Sequence, residues 1–322
     1  MLIGYATEER AMIAFGPVPS RRLGKSLGIN NIPPKACSYA CVYCQLRTTG
    51  DMGVDRRAFY DPEELADEVG RKAAAARSLG EETDYLTFVP DGEPTLDINL
   101  GRHMELLAPL DIPIAVISNA SLIWRKDVRD ELAGADWVSL KADAATEEIW
   151  HRVNRPHGRL DLEKIQQGML DFAETFGGTL VTETMLVGGV NDGAESLEAV
   201  AGFLARLEPD ISYLSIPTRP PAETDVGPPD EETVNRAFAI LDGKLDRVEY
   251  LIGYEGNAFA FTGNIEDDLL SITSVHPMRD DAVEELLRKA EADWSAVESL
   301  LRRGLLVETE LDGHRFYLRK LS

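Results

Sequence analysis

The sequence predicts an α/β protein, with a partial (β/α)6 TIM-like barrel in residues 1–266 and a small winged-helix-like domain in residues 267–322. Short apolar runs alternate with helical stretches in the first part, which is typical of a parallel sheet wrapped by helices. About six such units can be recognised, too few for a closed eight-stranded barrel. The last part of the chain differs, because its helices precede two alternating strands.

The strands of the barrel are predicted at residues 27–32, 85–89, 114–117, 137–140, 179–186, 211–216 and 248–252. The helices between them are predicted at residues 61–78, 100–108, 125–132, 162–175, 194–207 and 230–241. Asp61 and Pro62 form an N-cap followed by a first-turn proline, and Asn99 is placed to cap the second helix. In such sheets, ligands bind beyond the carboxyl ends of the strands.

The C-terminal pattern consists of helices at residues 278–289 and 293–303 and strands at residues 305–310 and 314–318. Asp293 is placed to cap the second helix, Gly304 to end it, and residues 311–313 give a hairpin signal. This order predicts a winged-helix-like module. Its second helix has few side chains suited to base edges, which favours docking onto the main domain or a protein partner over nucleic-acid binding.

All three cysteines of the chain lie in one C-x3-C-x2-C octet, as Cys37, Cys41 and Cys44. Such a loop can bind three irons of a [4Fe–4S] cluster and leave the fourth iron open to a small molecule. Zinc with a fourth histidine or water ligand is an alternative, but no histidine precedes the loop and the next one is His103. A disulfide framework is excluded by the odd count, and inert buried thiols would not cluster in this way.

The octet, with Tyr43 before its last cysteine, resembles the signature of the radical S-adenosylmethionine (radical SAM) superfamily. Further segments resemble the subgroup that also holds the tRNA wybutosine (4-demethylwyosine) synthases, at residues 15–30, 92–96, 138–143, 154–158 and 217–222. The resemblance implies a partial barrel with a [4Fe–4S] cluster and SAM as cofactors. It also implies reductive cleavage of SAM to a 5′-deoxyadenosyl radical, which abstracts hydrogen from a substrate.

Two departures from that subgroup limit what the resemblance implies. The wybutosine synthases carry a second cluster with its own cysteines, and this chain has no cysteine left to hold one. The usual G-G-E motif reads Asp91-Gly92-Glu93 here, so the contact with SAM is shifted by one residue. Only SAM cleavage is therefore expected to carry over.

The resemblance implies SAM contacts at several strand ends. Tyr43 corresponds to a residue that lends its ring or backbone to the adenine, with packing beside the cluster as the alternative. Gly92, Glu93 and Pro94 match the strand end where backbone carbonyls and the acid accept hydrogen bonds from the SAM ammonium. As an isolated tripeptide, G-E-P is also a common turn.

Further SAM contacts are predicted at Ser118, Asn119, Lys141, Asp143, Met185, Leu186 and Val187. The serine and asparagine suit the SAM carboxylate or ribose, with helix capping as the alternative. The lysine and aspartate suit the ribose and carboxylate, and a buried structural ion pair is equally compatible. Met185, Leu186 and Val187 could form an apolar wall near the adenine or belong to the core.

Candidate substrate contacts are Arg21, Arg22, His151, Arg155, His157 and Glu183. The guanidinium groups suit a carboxylate or phosphate. Strand alternation points the glutamate into the sheet's interior, where a buried acid requires a partner or a role. The remaining candidates are equally compatible with surface or structural roles. For His276, a structural role in an interface is favoured.

Composition narrows the function further. The net charge of −23, without a long basic run, argues against gripping a large nucleic acid, although adaptation to a salty cytosol also yields acidic surfaces. No apolar run is long enough to span a membrane, the N-terminus lacks a secretory pattern, and unpaired cysteines fit a reducing cytoplasm. Expected partners are a reductant such as flavodoxin or ferredoxin and an unidentified substrate, either an RNA base, a peptide or a small metabolite.

Three hypotheses follow from the sequence. The first is a radical SAM enzyme acting on that unidentified substrate. The second is a tRNA-modifying radical SAM enzyme related to wybutosine synthesis. The third is an iron–sulfur redox-sensing protein that binds nucleic acid, and the acidic charge weighs against it.

Overall fold

The computed structural model describes residues 13–45, 51–221, 223, 225–252, 259–275, 277–311 and 313–320. The strands, in chain order, are β1 (Ala14–Ser20), β2 (Gly24–Ile29), β3 (Ala36–Cys37), β4 (Asp51–Met52), β5 (Tyr85–Phe88), β6 (Ile114–Ser118), β7 (Trp137–Lys141), β8 (Thr179–Met185), β9 (Ile211–Ser215), β10 (Val248–Leu251), β11 (Met278–Arg279), β12 (Leu306–Leu311) and β13 (His314–Arg319). The helices are α1 (Pro62–Ser78), α2 (Leu100–Leu107), α3 (Lys126–Leu132), α4 (Glu147–Val153), α5 (Leu162–Ala173), α6 (Ala194–Leu207), α7 (Glu231–Asp242), α8 (Ile265–Val275), α9 (Asp280–Lys289) and α10 (Ser295–Arg302).

The main sheet is open and almost entirely parallel. Its strand order is β1-β2-β5-β6-β7-β8-β9-β10, with β1 antiparallel to β2 and every other neighbouring pair parallel. Helices α1 to α7 lie in the six connections between the parallel strands. Within the described residues no pairing joins β10 to β1, so the predicted partial barrel is confirmed.

The alternation of side chains along each strand separates the two faces of this sheet. In β6, Ile114 and Val116 are buried in the main core, whereas Ala115 and Ile117 belong to a cluster on the other face. The helices complete the core with apolar stripes at helical spacing; α6 buries Leu197, Val200, Ala201, Phe203, Leu204 and Leu207. The other face of the sheet is concave and contains the polar side chains described below.

Two of the three predicted N-caps lie in the barrel, and one of these two is present. The third, Asp293, accepts a hydrogen bond from the Ser295 N–H at 2.9 Å but lies one residue before Trp294, the residue that precedes α10. The Asp61 carboxylate accepts hydrogen bonds from the backbone N–H groups of Glu63 and Glu64, so this cap is confirmed. Asn99 precedes α2 but makes no side-chain capping bond, so that prediction is wrong. The backbone of Asn99 is not extended, as an N-cap residue usually is, and its N–H instead donates to Asp97 Oδ1 at 2.9 Å.

Strand β1 and helices α4 and α8 were not predicted from the sequence, and β11 occupies the predicted start of the helix at 278. Pro17 and Pro19 made β1 hard to recognise in the sequence. Proline has no backbone N–H to donate to a neighbouring strand, so it is tolerated only where a strand has a free edge. Strand β1 is the edge strand of its sheet, paired on one side with β2. Helix α4 has seven residues, too few to show a clear period.

Elements α8 to β13 surround a second core. Strands β11, β13 and β12 form an antiparallel sheet, and the predicted hairpin of β12 and β13 is confirmed. The core contains residues of α8, α9, α10 and β13 together with Phe15 and Val18 of β1. Helix α8 runs across the predicted boundary at residue 266, and the division into two domains stays a prediction. No helix among the described residues is long and apolar enough to cross a membrane.

Two helical glycines give a test of this packing. A Cβ atom at Gly168 of α5 would lie 2.6 Å from the Trp124 backbone, whereas at Gly70 of α1 the nearest atom is 4.0 Å away. We expect Gly168→Ala to destabilise the protein by about 1–3 kcal/mol, because backbone cannot give way as a flexible side chain can. Gly70→Ala should stabilise it by up to about 1 kcal/mol. Urea unfolding of both variants measures the difference; equal effects would contradict this packing of α5.

Candidate active site

The three cysteines line one cavity at the carboxyl ends of the strands. Cys37 ends β3, and Cys41 and Cys44 follow in the next turns. The cavity measures 190 Å³, and its wall also includes Tyr43, Asp91, Gly92, Ser118, Asn119 and Lys141. Each cysteine is partly exposed when the whole residue is counted, and none forms a disulfide. Residues from four separate parts of the chain therefore meet at one point.

Backbone hydrogen bonds hold the cysteine loop from several sides. The Glu93 N–H donates to the Ala36 carbonyl at 3.1 Å, and the Gly53 N–H donates to the Cys37 carbonyl at 3.1 Å. Along the other edge, the Val42 N–H donates to the Val153 carbonyl at 3.0 Å. The N-R-P-H-G segment, residues 154–158, continues this edge beside the loop. The loop is thus framed by the segments after β5 and α4.

Gly92 is required by the close approach of these segments. A Cβ atom on it would lie 1.9 Å from the Ala36 carbonyl oxygen, a separation that no side chain can adopt. Its backbone therefore passes directly against the strand that carries Cys37.

Two asparagine amides donate to the cysteine sulfurs. Asn154 Nδ2 lies 3.4 Å from Cys41 Sγ, and Asn119 Nδ2 lies 3.5 Å from Cys37 Sγ. Burial raises the pKa of Cys37 to about 12 and raises the pKa of Cys41 further above its ordinary value. A thiolate in such surroundings requires positive charge nearby, which iron would supply. Hydrogen bonds from N–H groups to the sulfurs are a recognised means of tuning an iron–sulfur cluster.

The donor set fits a cluster in another respect. Among the described residues, no three His, Cys, Asp or Glu side chains are arranged to share one metal ion. In a cluster bound at three corners, each cysteine binds a different iron, so the thiolates need not converge on one point. Cys37, Cys41 and Cys44 on one cavity wall satisfy this looser requirement.

Glu93 is fully buried, and donors saturate its carboxylate. Its Oε1 accepts from Ser118 Oγ at 2.8 Å, from the Thr95 N–H at 3.0 Å and from Thr95 Oγ1 at 2.6 Å; its Oε2 accepts from the Asn119 N–H at 2.7 Å. Burial raises the pKa of Glu93, and these donors oppose the rise. The carboxylate ties the end of β5 to the end of β6, and Glu93 is not among the residues that line the cavity.

Asp143 is a second buried acid with several donors. It accepts hydrogen bonds from the Tyr43 hydroxyl, from Asn154 Nδ2 at 2.7 Å and from the Met185 N–H at 2.8 Å. It connects the cysteine loop to α4 and β8. Asp143 and Lys141 do not pair with each other, although they lie two residues apart.

Lys141 instead belongs to a buried ionic network on the concave face. Its Nζ lies 2.6 Å from Glu183 Oε1, and Arg22 NH1 lies 2.6 Å from Glu183 Oε2. Ser215 Oγ also donates to Glu183 at 2.9 Å. Burial alone would raise the pKa of Glu183, but Lys141, Arg22 and these hydrogen bonds lower it to about 2. The predicted inward orientation of Glu183 is confirmed, and Arg22 is engaged within the fold.

The remaining predicted SAM contacts lie around this centre. Met185 is partly buried, with its sulfur 3.6 Å from Ser215 Oγ. Leu186 and Val187 are fully buried in the main core, and Pro94 is buried in a short 3-10 turn after β5. The roles of these residues toward SAM stay predictions, as do those of Tyr43, Glu93 and the other strand-end residues.

Most candidate substrate residues lie away from the cavity wall. The histidine of α4, His151, is exposed and lies 3.3 Å from Glu147, and Arg155 pairs with Glu223. His157 accepts a hydrogen bond from the Arg159 N–H, and Arg21 donates to the Leu251 carbonyl at 3.1 Å. The prediction for His276 falls outside the described residues.

Two residues of the cavity region were missed as candidates in the sequence. Asn154 stands in the N-R-P-H-G motif, but nothing in the motif indicates its hydrogen bond to a cysteine 113 residues away. Asp91 was noted only as a replacement for glycine, and it lines the cavity. An alignment of related sequences could have singled out both residues.

Comparison with known proteins assigns the chain to a class. The family model of the radical SAM superfamily matches residues 31–204, more than half of the sequence. The chain therefore belongs to the radical SAM superfamily. It is 47% identical over 313 residues to a UPF0026 protein of Methanocaldococcus jannaschii, covering 96% of this chain and 97% of that protein.

Solved structures share the fold at low sequence identity. A radical SAM methyltransferase from Sphaerobacter thermophilus matches with a TM-score of 0.54 at 18% identity, over 70% of this chain and 66% of that one. TYW1 with a lysine-pyruvate adduct bound matches with a TM-score of 0.52 at 15% identity, over 68% of this chain and 74% of that one. These likenesses concern the fold alone.

Membership of the superfamily defines the chemistry. The protein is a radical SAM enzyme with a [4Fe–4S] cluster and SAM as cofactors, and it cleaves SAM reductively to a radical that abstracts hydrogen from a substrate. Such an enzyme requires a reductant as well as a substrate.

The network around Glu183 yields a prediction on stability. Glu183→Gln leaves the buried Lys141 and Arg22 without a counter-charge, and we expect it to destabilise the protein by about 3 kcal/mol or more near neutral pH. The folded-state pKa of Glu183, about 2, lies below its ordinary 4.5. Its contribution is therefore fully present above pH 4.5 and is lost as the pH falls toward 2.

Urea unfolding of the wild type and Glu183→Gln at several acidic pH values measures this loss. The difference between their free energies of unfolding should shrink as the pH falls below 4.5. Glu82→Gln, at an exposed acid before β5, serves as the control and should change the stability little at any pH. A difference that is constant with pH would contradict the ionic network.

Proposed function

We propose that Cys37, Cys41 and Cys44 each bind one iron of the cluster and that SAM binds in the cavity beside the remaining iron. The observation that carries this proposal is the meeting of the three thiols with Gly92, Asn119 and Lys141 around one cavity at the strand ends. When bound, the cluster and SAM supply the electron transfer and bond cleavage. The protein's part is to hold both, orient them and exclude water.

The hydrogen bonds of the cavity wall support a division of roles. Asn154 and Asn119 donate to the sulfurs of two cysteines and hold them in place. Lys141 Nζ is 5.5 Å from the centre of the Tyr43 ring, so a cation and an aromatic face flank the same space. We assign Tyr43 to the adenine and Lys141 to the carboxylate or ribose of SAM. We assign backbone contacts with SAM to Gly92, and we place Ser118 and Asn119 on the part of the cavity wall at the end of β6.

Substrate is proposed to approach from the carboxyl ends of the strands. Deeper on the concave face, the side chains of Leu23, Ala115, Trp137, Val181, Tyr213 and Leu251 form an apolar cluster. This packing leaves the strand ends as the route to the cavity. The substrate class stays open between an RNA base, a peptide and a small metabolite, and flavodoxin or ferredoxin in the cytoplasm is the proposed reductant.

We also propose that residues 267–322 form the winged-helix-like domain and residues 1–266 the radical SAM domain. The order helix, strand, helix, helix, strand, strand from α8 to β13 supports the first assignment. Phe15 and Val18 pack into the core of that domain, which favours docking onto the main domain as its role. The net charge of −23 argues against the alternative function of a redox sensor that binds nucleic acid.

Anaerobic reconstitution tests the central proposal. The wild type should turn brown, bind about four irons per chain, and release 5′-deoxyadenosine when dithionite and SAM are added. Cys41→Ala should lose both properties, because the cluster needs each of its three protein ligands. Iron analysis, the absorption spectrum and chromatography of the products are the measurements.

Glu82→Gln serves as the matched control, since its exposed carboxylate lies outside the cavity wall, and it should retain both properties. A colourless protein that binds one zinc would overturn the proposal. So would an anaerobic holoprotein in which all four irons already have side-chain ligands.

A further inference from the structure

Asn154 holds the cysteine loop with both its backbone and its side chain. It directly follows α4, and only 2% of the residue is exposed. Its carbonyl accepts a hydrogen bond from the Ala40 N–H at 3.1 Å, and its side-chain Nδ2 lies 3.4 Å from Cys41 Sγ. One buried residue thus fixes two successive positions of the loop.

The carboxylate of Asp143 orients the side-chain amide of Asn154. Asn154 Nδ2 donates to Asp143 Oδ2 at 2.7 Å, and the Tyr43 hydroxyl and the Met185 N–H hold the carboxylate in place. An amide NH₂ group has two hydrogens, so one serves the carboxylate and the other is free to point at the sulfur of Cys41. The reverse orientation would set the amide oxygen against two acceptors, which is unfavourable. Asp143 therefore fixes the direction of the N–H···S bond.

Asn119 gives the second amide bond to a cysteine, but its surroundings differ. Its Nδ2 lies 3.5 Å from Cys37 Sγ and 2.9 Å from Ser38 Oγ, and the residue is partly exposed on the cavity wall. Asn154 is not among the residues that line this cavity. A ligand in the cavity would therefore meet Asn119, whereas the bond from Asn154 to Cys41 is part of the fold itself.

A hydrogen bond from an N–H group to sulfur is stronger when the sulfur carries more negative charge. Reduction of a cluster by one electron adds negative charge that its sulfurs share, so such a bond stabilises the reduced state more than the oxidised state. We propose that Asn154, oriented by Asp143, is a positioning residue that raises the reduction potential of the cluster through the sulfur of Cys41. This inference rests on the proposed function, since it takes Cys41 to bind iron.

A redox titration of the reconstituted holoprotein, followed by electron paramagnetic resonance, tests the proposal. Asn154→Leu removes the donor and keeps a side chain of similar size, so the midpoint potential should become more negative. We expect the ratio of reduced to oxidised cluster at a fixed potential to fall about tenfold, which corresponds to about 59 mV for a one-electron couple. Asn99→Leu is the matched control, because the Asn99 side chain makes no capping hydrogen bond and does not line the cavity. Its potential should equal that of the wild type.

Electron–nuclear double resonance on the reduced holoprotein detects the hydrogen bond directly. With ¹⁵N in the asparagine side chains, the wild type should show ¹⁵N couplings to the cluster. Asn154→Leu should lose one of these couplings, while the one from Asn119 remains. The measurement on the wild type does not depend on the folding of any variant.

Iron content and thermal unfolding show whether each variant keeps the cluster and the fold. Should Asn154→Leu hold no cluster, Asn154→Ser takes its place, because a single O–H cannot donate to both Asp143 and Cys41, and its potential should also become more negative. An unchanged potential in the variant that holds the cluster, a wild type without ¹⁵N coupling, or couplings that the variant leaves intact overturn the inference. Loss of the cluster in both variants overturns it too, because Asn154 would then serve assembly. Failure of the wild type to assemble a four-iron cluster would instead overturn the proposed function.

Discussion

The buried carboxylate of Glu93 is the constraint on which the site depends. An acid without exposure is tolerated only if donors surround it, and here the donors come from the end of β6 and from the turn after β5. The same residue gives its N–H to Ala36, so one amino acid fixes two sheet strands and the cysteine strand together. Loss of this carboxylate would leave Ser118 and Thr95 without their shared acceptor.

The cysteine loop itself has little structure of its own. Its two-residue strand β3 pairs with β4, and much of its order comes from hydrogen bonds to segments that follow β5 and α4. Asp143 extends this frame, because it accepts from Tyr43 of the loop, from Asn154 and from the backbone of β8. The geometry of the thiols is therefore determined by the rigid sheet, as precise placement of a cofactor requires.

The parts of this structure that local pattern encodes were predictable. Strands such as β6 and β8 have strong apolar periodicity, and the cysteine spacing singled out three residues that line one cavity. Contacts that depend on tertiary folding were not predictable, and the bond from Asn154 to Cys41 is one example. Strand β1 was hidden by its prolines, and the packing of Phe15 into the C-terminal core joins segments far apart in the chain.

Charged groups on the surface of this protein interact more weakly than charged groups in its interior. The net charge of −23 comes mainly from surface side chains, and water and salt screen their interactions. The network of Glu183 with Lys141 and Arg22 is buried, and it carries two cations against one anion. A charge in such surroundings acts more strongly than one on the surface, because the local dielectric constant is lower. The acidic exterior thus argues against a broad nucleic-acid interface, whereas Lys141 brings one positive charge to the cavity wall.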